Sequence, residues 1–192
     1  MSSGIQLIVG LGNPGEEHAA TRHNAGAWFV LELARSINAT LRPDSKFHGL
    51  HCNVKQYGHD FHLFIPTRFM NLSGQSVAAF LNYYKIPPKA MLVAHDEIDI
   101  PIGDIRLKFD GGHAGHNGLR NIIDHLGTHQ FHRLRIGVGR PENSKNVVSY
   151  VLKPPTKTER KKIDVILHNA LCVVPDLLDG QFQKATQALH TK

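Results

Sequence analysis

Short runs of aliphatic and β-branched residues alternate along this chain with stretches whose apolar residues recur every three or four positions, which limits the fold to a sheet layered with helices. Ile5-Gln6-Leu7-Ile8-Val9 is the first such run, closed by glycines, as expected of a strand buried on both faces. Between about Asn24 and Asn38, the positions Ala27, Trp28, Val30, Leu31, Ala34 and Ile37 mark one face of an amphipathic helix. Leu50 to Lys55 and Phe61 to Ile65 flank Tyr57-Gly58-His59-Asp60, a connection short enough to join antiparallel strands. Val77, Phe80, Leu81 and Tyr84 mark a second helix. It must stop before Pro87-Pro88, because proline lacks the amide donor and disfavours helical geometry in the residue before it. Met91 to Ala94, Ile105 to Phe109 and Leu134 to Val138 read as further strands, with a helix over about Asn117 to Leu126. Thr156-Lys157-Thr158-Glu159 has the capping-box pattern and opens a last helix through Ile163, Ile166, Leu167 and Leu171. These elements predict an α/β fold: a largely parallel sheet covered on both faces, with one antiparallel hairpin.

A chain of 192 residues suits one domain, taken as 1–192, since no repeat, low-complexity segment or linker divides it. Hydrophobic residues at 41% against 20% charged supply a core and exclude disorder. No apolar run approaches the roughly 20 residues of a membrane span. Met1-Ser2-Ser3-Gly4 runs directly into the first strand without a secretory leader, so a soluble protein is expected. Two cysteines, Cys52 and Cys172, form neither a disulfide framework nor a metal-ligand pattern, which fits a reducing, cytoplasmic setting. Lys and Arg number 22 against 16 Asp and Glu, a net charge of +6 that favours a polyanionic partner.

Gly10-Leu11-Gly12-Asn13-Pro14-Gly15 matches G-x-G-x-x-G directly after a strand, so a dinucleotide site has to be weighed. In that motif a helix opens at the last glycine and a carboxylate follows about 20 residues on. Here the helical period begins only near Asn24, and position 35 is Arg35. The plainer reading is a tight turn, needing positive φ at its glycines, that presents Asn13. No Gly-Lys pair occurs anywhere, which excludes a P-loop.

Hydrolytic chemistry has better candidates. His23 precedes the first amphipathic helix, whose amino end disfavours added positive charge and keeps an imidazole neutral, able to accept a proton. Asp96 follows the strand Met91 to Ala94, at the carboxyl end where α/β sheets collect their sites, and a carboxylate there can orient a histidine. The bland alternatives are a capping histidine and a turn acid. Asn13, Asn71 and Asn117 occupy comparable loop positions and offer uncharged donors for an ester carbonyl, although helix capping or left-handed turn geometry would also account for them. No G-x-S-x-G elbow exists and neither cysteine stands at a strand end, so water is the expected nucleophile. His113 and His116 lack a third ligand at helical spacing, and no metal is expected. Arg106 with Lys108 and Arg133 with Arg135 alternate along two strands, so each pair shares a sheet face and suits phosphate binding; a solvated edge is the alternative.

As an ordered set, Gly10 to Gly15, Thr21-Arg22-His23-Asn24-Ala25-Gly26, Phe69-Met70-Asn71-Leu72-Ser73-Gly74, His95-Asp96-Glu97 and Gly111-Gly112-His113-Ala114-Gly115-His116-Asn117-Gly118-Leu119 resemble the motifs of the bacterial-type peptidyl-tRNA hydrolase family. The resemblance runs from about Ile5 to the C-terminal helix. It implies a single domain with a twisted, mixed and mostly parallel sheet between helices. It also implies a cytoplasmic monomer, without metal or organic cofactor, that cleaves the ester between a peptide and tRNA and recycles the tRNA. By the same resemblance His23 is the base, Asp96 stabilises its proton-accepting form, and Asn13 separates blocked from free amino groups. Phe69, Met70, Asn71, His116 and Asn117 contact substrate, and Lys108 and Arg135 grip a tRNA phosphate. His18 stands where the family carries Tyr or Phe, which changes that tRNA contact. Two other classes compete on the residues alone: a non-catalytic RNA-binding module, from the basic balance, and a dinucleotide-binding oxidoreductase, from the glycine motif.

Overall fold

The computed structural model describes residues 4–142 and 146–190. Met1–Ser3, part of the stretch read above as lacking a leader, lie outside the described residues. Seven strands form one sheet in the order β2-β3-β4-β1-β5-β7-β6, where β1 is Leu7–Gly10, β2 Arg42–Asp44, β3 Gly49–Gln56, β4 His59–Pro66, β5 Met91–Glu97, β6 Ile105–Phe109 and β7 His132–Gly137. The helices are α1 (Glu16–Ala19), α2 (Ala25–Ser36), α3 (Ser73–Tyr84), α4 (Asn117–Leu126), α5 (Val147–Val151), α6 (Lys157–Leu171), α7 (Val174–Leu178) and α8 (Phe182–His190).

The sheet is mixed, and its parallel part is narrower than expected. Strands β4, β1, β5 and β7 pair in parallel, whereas β2–β3, β3–β4 and β6–β7 are antiparallel. The link 98–104 between β5 and β6 is too short for a crossover, so β6 has to run back against the direction of β5 and close the edge antiparallel.

Period-two alternation divides the apolar side chains between two cores. Ile8, Leu92, Ala94, Leu134 and Ile136 pack with Phe29, Val30 and Leu33 of α2 and with α6 and α7 on one face. Leu7, Val9, Met91 and Val93 pack with Val77 and Phe80 of α3 and Leu119 and Ile122 of α4 on the other. The capping box forms as read: Thr156 Oγ1 accepts from Glu159 N at 3.2 Å, and Glu159 Oε2 accepts from Thr156 N at 2.8 Å. Helix α8 covers the outer edge, where His190 Nε2 accepts from Leu107 N.

Gly10 and Gly12 have ordinary φ, and among the three motif glycines only Gly15 (φ 97°) is left-handed. The first two are needed for close approach instead: a Cβ on Gly10 would lie 2.5 Å from the Gly26 carbonyl oxygen, and one on Gly12 would lie 2.9 Å from the Asn24 amide. Helix α2 and the residue before it press on Gly10 and Gly12, and the turn α1 that follows opens with Glu16 and Glu17, which repel an anion.

Candidate active site

Helix α2 lies directly on the backbone of β5. A Cβ on Gly26 would stand 2.0 Å from the Ala94 carbonyl oxygen, so only glycine permits the approach. The 3-10 turn Arg22–Asn24 that leads into α2 is thereby brought to the carboxyl end of β5, and His23 Nδ1 comes within 2.9 Å of Asp96 Oδ1. Both side chains are buried.

A second imidazole reaches the same oxygen. His116 Nε2 lies 2.8 Å from Asp96 Oδ1, while its Nδ1 accepts from the N–H groups of Gly118 and Leu119 at 3.2 and 3.3 Å as the N-cap of α4. A ring that accepts at Nδ1 carries its proton on Nε2, so His116 donates to Asp96. His23 likewise donates from Nδ1, which leaves its Nε2 lone pair free. Burial opposes ionisation of Asp96, but the electrostatic pull of His23 and His116 and the hydrogen bonds from both outweigh it and hold the carboxyl below its ordinary value. Burial also opposes a charge on His23, yet the attraction of Asp96 and its hydrogen bond prevail and raise its pKa above 6.5. The helix amino end expected to keep His23 neutral is thus outweighed by a carboxylate. His23, Asp96 and His116 have ligand atoms within 4.8 Å of one another, the spacing of a metal site. They fit an ion poorly: His116 would have to give up its Nε2 proton while Nδ1 still faces two N–H donors.

His23 and Asp96 line a cleft of about 590 Å³ together with Asn13, Phe69, Met70, Asn71, His116 and Asn117. Asn24 clasps the first loop, accepting from Asn13 N and donating to Asn13 O, each at 2.9 Å. The Asn13 side chain accepts from Met70 N at 2.8 Å, so its Oδ1 is occupied and its amide N–H groups remain to donate. Asn71 caps no helix, since Leu72 precedes α3 without a side-chain bond. Asn117 is the first residue of α4, and the left-handed geometry falls on Ala114 and Gly115 instead. Leu72, Ile98 and, from α5 and the residue after it, Val147, Val148, Val151 and Leu152 add an apolar wall, and Glu97 and His113 add polar groups.

The four basic residues of β6 and β7 share one face, because Arg106 pairs with Arg135 and Lys108 with Arg133. They differ in what they hold. Arg133 is buried and donates both Nη groups to the Gly111 and Gly112 carbonyls, bracing the glycine loop that leads to His116. Arg135 Nε binds Glu97 Oε2 at 3.1 Å, and Glu97 in turn lines the cleft. Arg106 lies 3.7 Å from Asp104. Lys108 is exposed and makes no ion pair among the described residues.

The family model for peptidyl-tRNA hydrolase matches residues 7–192. The chain belongs to the peptidyl-tRNA hydrolase family. Proteins of that name from Coxiella burnetii (strain RSA 331 / Henzerling II) and Nitrosospira multiformis are 51% identical over 193 residues, all of both chains, and 52% identical over 188 residues, 98% of each. A crystal structure of peptidyl-tRNA hydrolase from Acinetobacter baumannii matches with a TM-score of 0.96 at 48% identity, covering 100% of this chain and 97% of that chain. Membership makes the protein an ester-hydrolysing enzyme and sets aside the non-catalytic module and the oxidoreductase.

Of the residues to which the resemblance gives a role in catalysis or binding, the cleft gathers all but three. His18 stands edge-on to Phe69, ring centroids 6.2 Å apart, beside the cleft rather than in its wall. Lys108 and Arg135 lie on the strand face beyond Glu97. Sequence reasoning missed Asn24, the Asp96 contact of His116, the brace made by Arg133 and the α5 wall. Only Asn24 carried a sequence cue, being the neighbour of His23 in a quoted motif. Among the described residues no helix is long and apolar enough to cross a membrane.

Proposed function

We propose that the cleft hydrolyses the ester joining a peptide, or another N-blocked aminoacyl group, to the terminal ribose of tRNA, with His23 as general base. The polarity of the hydrogen-bond chain carries this reading. Asp96 accepts a hydrogen bond from the Nδ1–H of His23, so Nε2 is the basic atom left for the cleft. Water gives a proton to Nε2 as its oxygen attacks the ester carbonyl carbon. The imidazolium, stabilised by Asp96, returns that proton to the ribose oxygen as the C–O bond breaks, leaving a free peptide carboxyl and a tRNA hydroxyl for reuse in the cytoplasm. Base assistance supplies about 10² to 10⁴ in rate. A donor facing the developing oxyanion supplies about 10² to 10³ more, and Asn13 has amide N–H groups to spare for it or for the blocked amino group.

Phe69, Met70, Asn71 and Asn117 receive the peptide end, and His116 acts through Asp96 rather than on substrate. Lys108 and Arg135 hold a phosphate of the acceptor end, and His18 with Phe69 offers a smaller stacking surface than a phenol would. In this reading one copy of the chain suffices and neither metal nor organic cofactor takes part.

The test is cleavage of peptidyl-tRNA by wild type and His23→Ala with chelator present throughout. Wild type should cleave, and the variant should lose at least about 10²-fold in kcat while still binding tRNA. Turnover of the variant close to wild type would remove His23 from the role.

A further inference from the structure

Beside His23, and unused by the chemistry above, sits a buried guanidinium. Arg22 Nη1 donates to the main-chain carbonyls of Tyr150, Lys153 and Pro154 at 3.3, 3.2 and 3.1 Å. Its Nη2 meets Glu159 Oε2 at 2.8 Å, its own N–H donates to Lys153 O at 3.1 Å, and its guanidinium lies 4.1 Å over the Tyr150 ring. These carbonyls belong to the end of α5 and the residues just after it; Tyr150 O also accepts from the N–H groups of Leu152 and Lys153, whereas Lys153 O and Pro154 O lie past the helix and are held from the turn of Arg22. Helix α5 has five residues, too few to hold its shape unaided, and Pro154-Pro155 offers no donor. On the other side Glu159 also closes the capping box of α6, whose Ile163 and Leu167 are buried in the core. The guanidinium therefore ties three things together: the turn that carries His23, a core helix, and the short helix whose Val148 and Leu152 are exposed in the cleft wall.

We propose, resting on the reading that the cleft takes a peptidyl ester, that Arg22 is a positioning residue that clamps α5 in place as the wall receiving the peptide beyond its first residue. The clamp acts on grip rather than on chemistry. The bonds of His23 and His116 to Asp96 are made without Arg22, whereas the wall's three carbonyls lose their guanidinium donor and Tyr150 its stacked cation without it. Its loss therefore weakens binding of long acyl groups and spares short ones.

Steady-state kinetics of wild type, Arg22→Met and Arg22→Lys on two substrates test this: tRNA carrying a single N-acetylated amino acid, and the same tRNA carrying a long apolar peptide. Arg22→Met should raise KM for the long peptide about tenfold, the scale of one charge-assisted hydrogen bond, with KM for the short substrate and both kcat values within about threefold of wild type. Arg22→Lys, which keeps the charge but cannot span all the acceptors, should fall between. Equal changes on both substrates, or a loss confined to kcat, would overturn the inference. If Arg22→Met does not fold, Tyr150→Phe removes the 2.7 Å bond from the Tyr150 hydroxyl to Val138 O, another fastening of α5, and should show the same split on a smaller scale. Its absence would overturn the inference equally. Wild type inactive on both substrates would sink the hydrolase reading itself, whereas flat variant kinetics on an active wild type would sink only the clamp.

Discussion

One oxygen of Asp96 accepts from two imidazoles, and each ring is constrained by what its other nitrogen does. His116 is committed at Nδ1 to the amino end of α4 and has only its Nε2 proton to give. Among the described residues nothing comparable holds Nε2 of His23, and that difference makes it, rather than His116, the ring able to take a proton from water. The pH dependence follows from the same contact. Because Asp96 raises the His23 pKa against the effect of burial, kcat/KM should climb with pH and level off only above 6.5. In Asp96→Asn the carboxylate no longer favours the imidazolium and burial alone acts, so the inflection should move to lower pH and the plateau should fall by at least about tenfold. A pH–rate series on both proteins measures this. An inflection that stayed put or rose would show that Asp96 does not set the basicity of His23. At this scale the residue types were readable in advance, since His23, Asp96 and the asparagines stand at strand and helix ends. The sharing of Asp96 was not, because His116 is 20 positions away and its local bonds, to the amino end of α4, do not tell which residue its Nε2 meets.

Among the elements, the contact of α2 with β1 and β5 decides whether the site exists. Gly10 and Gly26 let two backbones touch, and Asn24 then bridges to the loop that carries Asn13. A methyl group on Gly26 would press on the Ala94 carbonyl, two residues from Asp96. Gly26→Ala should therefore cost about 2 kcal/mol or more. Gly112→Ala, at a position with nothing within 4 Å of the added carbon, should cost under about 1 kcal/mol. Urea unfolding midpoints compare the two directly, and equal midpoints would refute the close-packing role. The periodicity of long segments made α2, α4 and the capping box of α6 readable, and the hairpin β3–β4 as well. It failed where elements are short or where polarity is functional. β5 extends through His95, Asp96 and Glu97, three buried polar residues that no apolar pattern would include in a strand. α5 and β2, at five and three residues, exist because tertiary partners hold their ends.

For the molecule as a whole, the histidines outside the hydrolytic pair set a second pH dependence. Burial lowers the pKa of His51, and that of His62, next to His51, to about 4. Burial likewise takes His132 to about 4 and His95, beside His116, to about 3. Each is neutral in the fold and takes a proton near 6.5 when unfolded, so the stability they confer is whole above 6.5 and drains away as pH falls toward 4. His23, with its raised value, works in the opposite direction but is one group against these four and His190, whose pKa burial also lowers. The urea midpoint should accordingly drop between pH 7.5 and 4.5, and a flat or rising midpoint would contradict the assignment.

Hydrophobic period, glycine placement and helix caps are written into neighbouring residues, so the α/β class, the order of most elements and the strand-end location of the chemistry could be read from the chain before any coordinates. Which of the basic side chains on β6 and β7 is left free, which imidazole shares a carboxylate, and why two motif glycines must be glycines are matters of approach between segments far apart in the chain. Arg133 and Arg135 are two positions apart on one strand, yet one braces a loop and the other an acid in the cleft wall. That choice depends on the partner each meets across the sheet, and a partner is a property of packing, to which a local pattern is blind.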